Sequence, residues 1–205
     1  IRYDKIQSPF YCNDYVFYIN WRKSGKKSKK EGLKVAVLEI LKYPHPLLKK
    51  RCEEVSRIDG EVKALIRDMA ETMYHAHGIG LAACQVGVPQ RVIVVDVSPI
   101  DPEKEFFAMI NPEVVFEEGE IEHEEGCLSV PECSEKVRRK EKVMVRGLSP
   151  EGKTVEISGD GILAIALQHE IDHLNGVLIL DRISRLKREL YRNRLKKEKK
   201  KEEKD

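Results

Sequence analysis

A chain of 205 residues, 41% hydrophobic and 35% charged, has room for one ordinary domain with a buried core. Its five cysteines (Cys12, Cys52, Cys84, Cys127, Cys133) are too few and scattered for a disulfide framework. No apolar run approaches the ~18 residues of a membrane span, and Tyr15 to Ile19 is too short for a secretory leader, so a cytoplasmic protein with no membrane partner is expected. The net charge of +2 hides basic ends on an acidic body: residues 1–34 carry nine Lys/Arg against three Asp/Glu and residues 182–205 twelve against five, so a polyanion would meet the ends, and specific DNA binding is not expected.

In chain order, a helix is predicted from Asp59, a capping residue, because Val62, Leu65, Ile66, Met69 and Met73 recur at helical spacing up to Gly78. The runs "RVIVVDV" (91–97), "FFAMINP" (106–112), "EVVFEE" (113–118), "KVMVRG" (142–147) and "TVEIS" (154–158) are short and β-branched, separated by Gly and Pro. They read as strands of mainly antiparallel sheets. A second helix opens at Asp160, carries Ile162, Ile165, Ala166 and His169 on one stripe, and ends at Gly176. A last helix from about Ser184 is expected to dissolve into "KKEKKKEEKD", which has no apolar face. The fold class is α+β, with antiparallel or mixed sheets packed around the second helix.

That helix contains "QHEIDHLNG" (168–176). Residues four apart share a helix face with Cβ atoms ~5–6 Å apart, so His169 and His173 can both reach one ion. Glu170 lies about 100° further round, placed to act on a bound water without binding the ion. A third ligand is needed. Cys127 in "EEGCLSVP" stands out because it sits in a short Gly-containing segment between predicted strands, and a thiolate with two imidazoles leaves a tetrahedral ion one open position for water. Spacing alone does not choose Cys127 over another cysteine or a carboxylate.

Three segments together decide more. "GIGLAACQ" (78–85), "EGCLSVP" (125–131) and "QHEIDHLNG" resemble, in order and with similar intervals, the motifs of bacterial peptide deformylases, and the resemblance runs from about Val35 to Ser184. It implies a metal-dependent hydrolase that removes the N-formyl group from the initiator methionine of nascent polypeptides, releasing formate. It also implies that Cys127, His169 and His173 hold one divalent ion, ferrous iron (Fe2+) in the cell, with Zn2+, Ni2+ or Co2+ accepted. By the same resemblance Glu170 is the general acid/base, and the Gln85 amide with the Leu128 N–H forms the oxyanion site. Gly78, Ile79 and Gly80 would present backbone to the peptide, while Ile79, Leu128, Ile165 and Ala166 would line the pocket for the first side chain. Glu125 and Arg139 are expected to pair beneath the Cys127 segment. Ser134 departs from relatives that carry a basic residue near that position. A metalloprotease of the HExxH type would want a third His or Glu downstream of His173, and a blue-copper carrier would take its ligands from loops of a β-sandwich.

The domain organisation expected is a basic extension (1–34), a catalytic domain (35–184) and a basic C-terminal helix and tail (185–205) positioned to contact ribosomal RNA. "VAVLEILKYPHPLL" from Val35 resembles the beginning of family members, and no methionine precedes Met69. Lys30, Glu31 and Gly32 can be encoded by a ribosome-binding sequence, so residues 1–34 are expected to be translated upstream DNA. Intact mass of the natively expressed protein tests this: a chain that retains "WRKSGKKSKK" defeats it.

Overall fold

A computed structural model describes residues 36–202, and the expectations for residues 1–34 lie outside them. Helix α1 (Gly60–His75) begins where the Asp59 side chain accepts hydrogen bonds from the N–H groups of Glu61 and Val62, satisfying two donors that a helix start leaves open. Its apolar stripe buries Val62, Ile66, Met69 and Met73. Strand β1 (Gly80–Ala82), a 3-10 turn (Ala83–Val86) and strand β2 (Val92–Val95) follow.

The four residues of β2 are apolar without alternation because both faces of the strand are covered. Val92 and Val94 join Leu81 and Ile110 against α1. Ile93 and Val95 point the other way, into a cluster with Ala82, Met109 and the second long helix, α2 (Gly161–Leu174). Nearly every side chain of α2 is buried, as expected of a helix apolar on all sides.

The two strands expected at 106–118 are one, β3 (Phe107–Glu118), which passes through Pro112 with a shift of register. The kink sits at Asn111, whose φ is 51° and whose carboxamide exchanges two 2.9 Å hydrogen bonds with the Val55 backbone. A bulge is where a strand can house a proline. Strands β6 (Lys142–Leu148) and β7 (Thr154–Asp160) complete a five-stranded antiparallel sheet of order β1-β2-β3-β6-β7.

Between β3 and β6 the chain makes a separate two-stranded hairpin, β4 (Ile121–Cys127) and β5 (Val130–Arg139). Its inner residues Cys127, Val130, Cys133 and Val137 pack on the short helix α3 (Ile179–Arg182) and on Tyr191 and Leu195 of α4 (Arg185–Glu202). The expectation that the last helix dissolves from Lys196 is corrected, because α4 runs to Glu202. Tyr191 and Leu195, four apart, anchor it on the hairpin, and an Arg194–Glu198 pair supports the following turn.

Candidate metal centre and its surroundings

The hairpin and α2 bring the site together. Cys127 ends β4, immediately before the two-residue turn Leu128–Ser129 that returns the chain to Val130. His169 and His173 lie one turn apart on α2. Cys127 Sγ is 3.3 Å from His173 Nε2, and one ligand atom from each of the three residues lies within 4.8 Å of the others, all of them buried. No other group of Cys, His, Asp or Glu among the described residues meets this geometry.

The donors fit a cation. His169 Nδ1 lies 2.8 Å from Glu125 Oε2, and a carboxylate can only accept, so Nδ1 carries the proton and Nε2 turns its lone pair inward. Nε2 is buried with no hydrogen-bond partner among the described residues, a costly arrangement that an ion would relieve. Burial alone would raise the Cys127 thiol, but His173, with Nε2 3.3 Å from the sulfur, holds it well below its ordinary range. Burial would likewise raise Glu125, yet its bonds to His169 and Arg139 hold it at about 2. Thiolate and carboxylate together favour positive charge between the imidazoles.

The expected Glu125–Arg139 pair is present and buried: Arg139 donates through Nε and Nη2 to the two carboxylate oxygens at 2.8 and 3.0 Å. Arg139 also donates to Asp172.

Gln85 lies on the 3-10 turn and is wholly buried. Its Oε1 accepts from Ala82 N–H at 2.8 Å, so its amide nitrogen is aimed at the site, 3.1 Å from Ser129 Oγ and 4.0 Å from Cys127 Sγ. Glu170 is also wholly buried and lies against Gly80, where an added Cβ would come within 2.9 Å of its Cγ and Cδ. Ile79, Ile165 and Ala166 share one core cluster, whereas Leu128 packs in the neighbouring one with Leu81. The Gly78 N–H is bonded to Met73 O and the Ile79 carbonyl accepts from Asp96 N–H, so these two backbone groups serve the fold.

Two features had no sequence signal. Ser129 fixes the direction of the Gln85 amide. The segment 41–43 straps Gln85 to the Leu128–Ser129 turn: Leu41 N–H donates to Gln85 O at 2.7 Å, Tyr43 N–H to Ser129 O at 2.8 Å and Lys42 Nζ to Leu128 O at 2.6 Å. Their partners lie some 40 to 90 residues away in sequence, where no local pattern reaches.

The polypeptide deformylase family model matches residues 37–189. A curated peptide deformylase from Thermodesulfovibrio yellowstonii is 55% identical over 162 residues, covering 79% of this chain and 98% of the relative. One from Syntrophobacter fumaroxidans is 48% identical over 163 residues, covering 80% and 96%. A crystal structure of a peptide deformylase from Legionella pneumophila superposes with a TM-score of 0.75 at 46% identity, over 83% of this chain and 99% of that one. With the thiolate and two imidazoles gathered at one point, these similarities place the chain in the peptide deformylase family, metal-dependent hydrolases that remove the N-formyl group from nascent chains.

Proposed function

We propose that deformylation takes place at Cys127, His169 and His173, with Glu170, Gln85 and Leu128 performing the chemistry around the ion they hold. The observation that carries this reading is the convergence of the three ligand atoms within 4.8 Å, with the Gln85 amide 4.0 Å from the sulfur. Soft thiolate with imidazole suits Fe2+, the resident ion on this reading, and equally Zn2+, Ni2+ or Co2+. When bound, such an ion supplies Lewis acidity that brings the pKa of water from 15.7 to roughly 7.

The residues divide the remaining work. Glu170 accepts the proton of the attacking water and delivers it to the departing amine. As the formyl carbon becomes tetrahedral, negative charge grows on its oxygen, and the Gln85 amide and Leu128 N–H donate to it. Strand β1 ends the sheet order, so its outer edge can pair with an extended peptide beside Gly78, Ile79 and Gly80. Ile79, Ile165 and Ala166 supply apolar surface for the methionine side chain.

The test uses nickel-loaded protein and formyl-Met-Ala-Ser. Gln85→Leu is expected to lower kcat about 100- to 1,000-fold, the usual loss for one oxyanion donor, with nickel content unchanged. Cys127→Ala should lose the metal. Hydrolysis by the wild type no faster than by Cys127→Ala refutes the assignment.

The substrate class is N-formylmethionyl nascent peptides, which implies a cytoplasmic setting, and no helix among the described residues is long and apolar enough to cross a membrane. On this reading residues 35–184 are the catalytic domain, and residues 1–34 and 185–205 are basic flanks. The exposed Arg185, Lys196 and Lys197 of α4 offer a cationic face to ribosomal RNA. Changing all three to Glu is expected to abolish salt-sensitive ribosome binding while deformylation of the free tripeptide persists. Cosedimentation unaffected by the triple change rules the contact out.

A further inference from the structure

Asp172 stands between the two imidazoles in sequence yet serves neither directly. Its carboxylate receives Arg139 Nη1 on Oδ2, and Arg182, at the end of α3, closes on it with a fork: Nε to Oδ2 at 2.9 Å and Nη2 to Oδ1. Arg139 holds Glu125 with its other nitrogens, and Glu125 holds His169 Nδ1. The result is a line of alternating charge, Arg182–Asp172–Arg139–Glu125, ending on a metal-ligating ring. Side-chain exposure falls along it from 43% at Arg182 to 12% at Asp172, 3% at Arg139 and 0% at Glu125.

We propose that Arg182 is a positioning residue for the metal centre: by neutralising Asp172 it leaves Arg139 committed to Glu125, and so keeps His169 oriented toward the ion. The inference rests on His169 being a ligand. The physical reason is a balance of charge. With Arg182 present, two cations serve two carboxylates. Without it, Arg139 alone is shared between Asp172 and Glu125, in surroundings where each lacking charge is poorly screened. Arg139 is then drawn toward Asp172, the Glu125 fork loosens, and the imidazole loses the partner that fixes it. Direct partners of metal-ligating histidines typically contribute about 10- to 100-fold to metal affinity. Arg182 acts through two further links, so roughly a fivefold effect is expected.

A role confined to stapling α3 onto α2 would change thermal stability without touching the ion. The experiment therefore follows nickel release from the loaded protein to a chromogenic chelator, together with KM and kcat for formyl-Met-Ala-Ser. Arg182→Met is expected to release nickel about fivefold faster and to lower kcat with KM little changed. Arg182→Lys, which keeps the charge and loses the fork, should restore most of the retention. The double variant Asp172→Asn with Arg182→Met removes both members of the outer pair, so release should return close to the wild-type rate. It also carries the test if Arg182→Met alone folds poorly. Arg146→Met, which breaks the exposed Arg146–Glu156 pair on β6 and β7, is the control for losing a surface cation. Release from Arg182→Met at the wild-type rate, or from the double variant as fast as from Arg182→Met, overturns the proposal. Wild-type protein that takes up no stoichiometric nickel defeats the ligand assignment itself, a separate result.

Discussion

Gly80 matters for what it lacks. Its backbone is ordinary strand, so a side chain would be conformationally acceptable there, but the space is filled by the Glu170 carboxyl group. Gly80→Ala should displace Glu170 while leaving Cys127, His169 and His173 in place. A displacement of about 1 Å can cost about 100-fold in rate, so kcat for formyl-Met-Ala-Ser is expected to fall by that order with nickel content unchanged. Equal loss of metal and activity would place the damage elsewhere. Residues of this kind were legible to different degrees. His169, Glu170 and His173 stand out because helical periodicity converts their spacing directly into geometry. Gln85 and Leu128 emerged only through resemblance to a family. Ser129 and Lys42 were invisible, since the groups they bond to are brought near by tertiary folding alone.

Among the elements, α1 and α2 were readable from their caps and apolar stripes, and observed bounds agree with expectation to within about a turn. The hairpin was not. Ile121–Cys127 reads "IEHEEGC", and its residues 122–124 are exposed, so it carries no apolar alternation to mark a strand. What holds it is long-range packing of Cys127, Val130 and Val137 on α3 and α4. The cap at Asp59 makes a local claim that can be isolated. Asp59→Ala removes the acceptor for two N–H groups and should lower the unfolding free energy by about 1 kcal/mol in chemical denaturation. Because α1 covers the face of the sheet opposite α2, kcat of the folded variant should be unchanged.

For the whole molecule, the ion would join parts that the sheets keep separate. Cys127 belongs to the two-stranded hairpin, while His169 and His173 belong to the helix buried against the five-stranded sheet. A ligand held only by the folded state stabilises that state, by about 4 kcal/mol when free ligand exceeds its dissociation constant 1,000-fold. For a protein of this size, that corresponds to about 10 °C in melting temperature. Calorimetry before and after chelation is expected to show a drop of that order, and an unchanged Tm would mean that the ion ties nothing together.

Leu128 and Ser129 are the entire connection between β4 and β5. Gly126 faces Ser134 while Cys127 faces Val130, so the hairpin already bulges at this point, and a residue inserted in or deleted from the turn would move the sulfur relative to the imidazoles. The loop therefore keeps its length, and since Ser129 Oγ holds the Gln85 amide, an engineer wishing to graft a new specificity at this rim must work by substitution at Leu128, leaving the count of residues between Cys127 and Val130 alone.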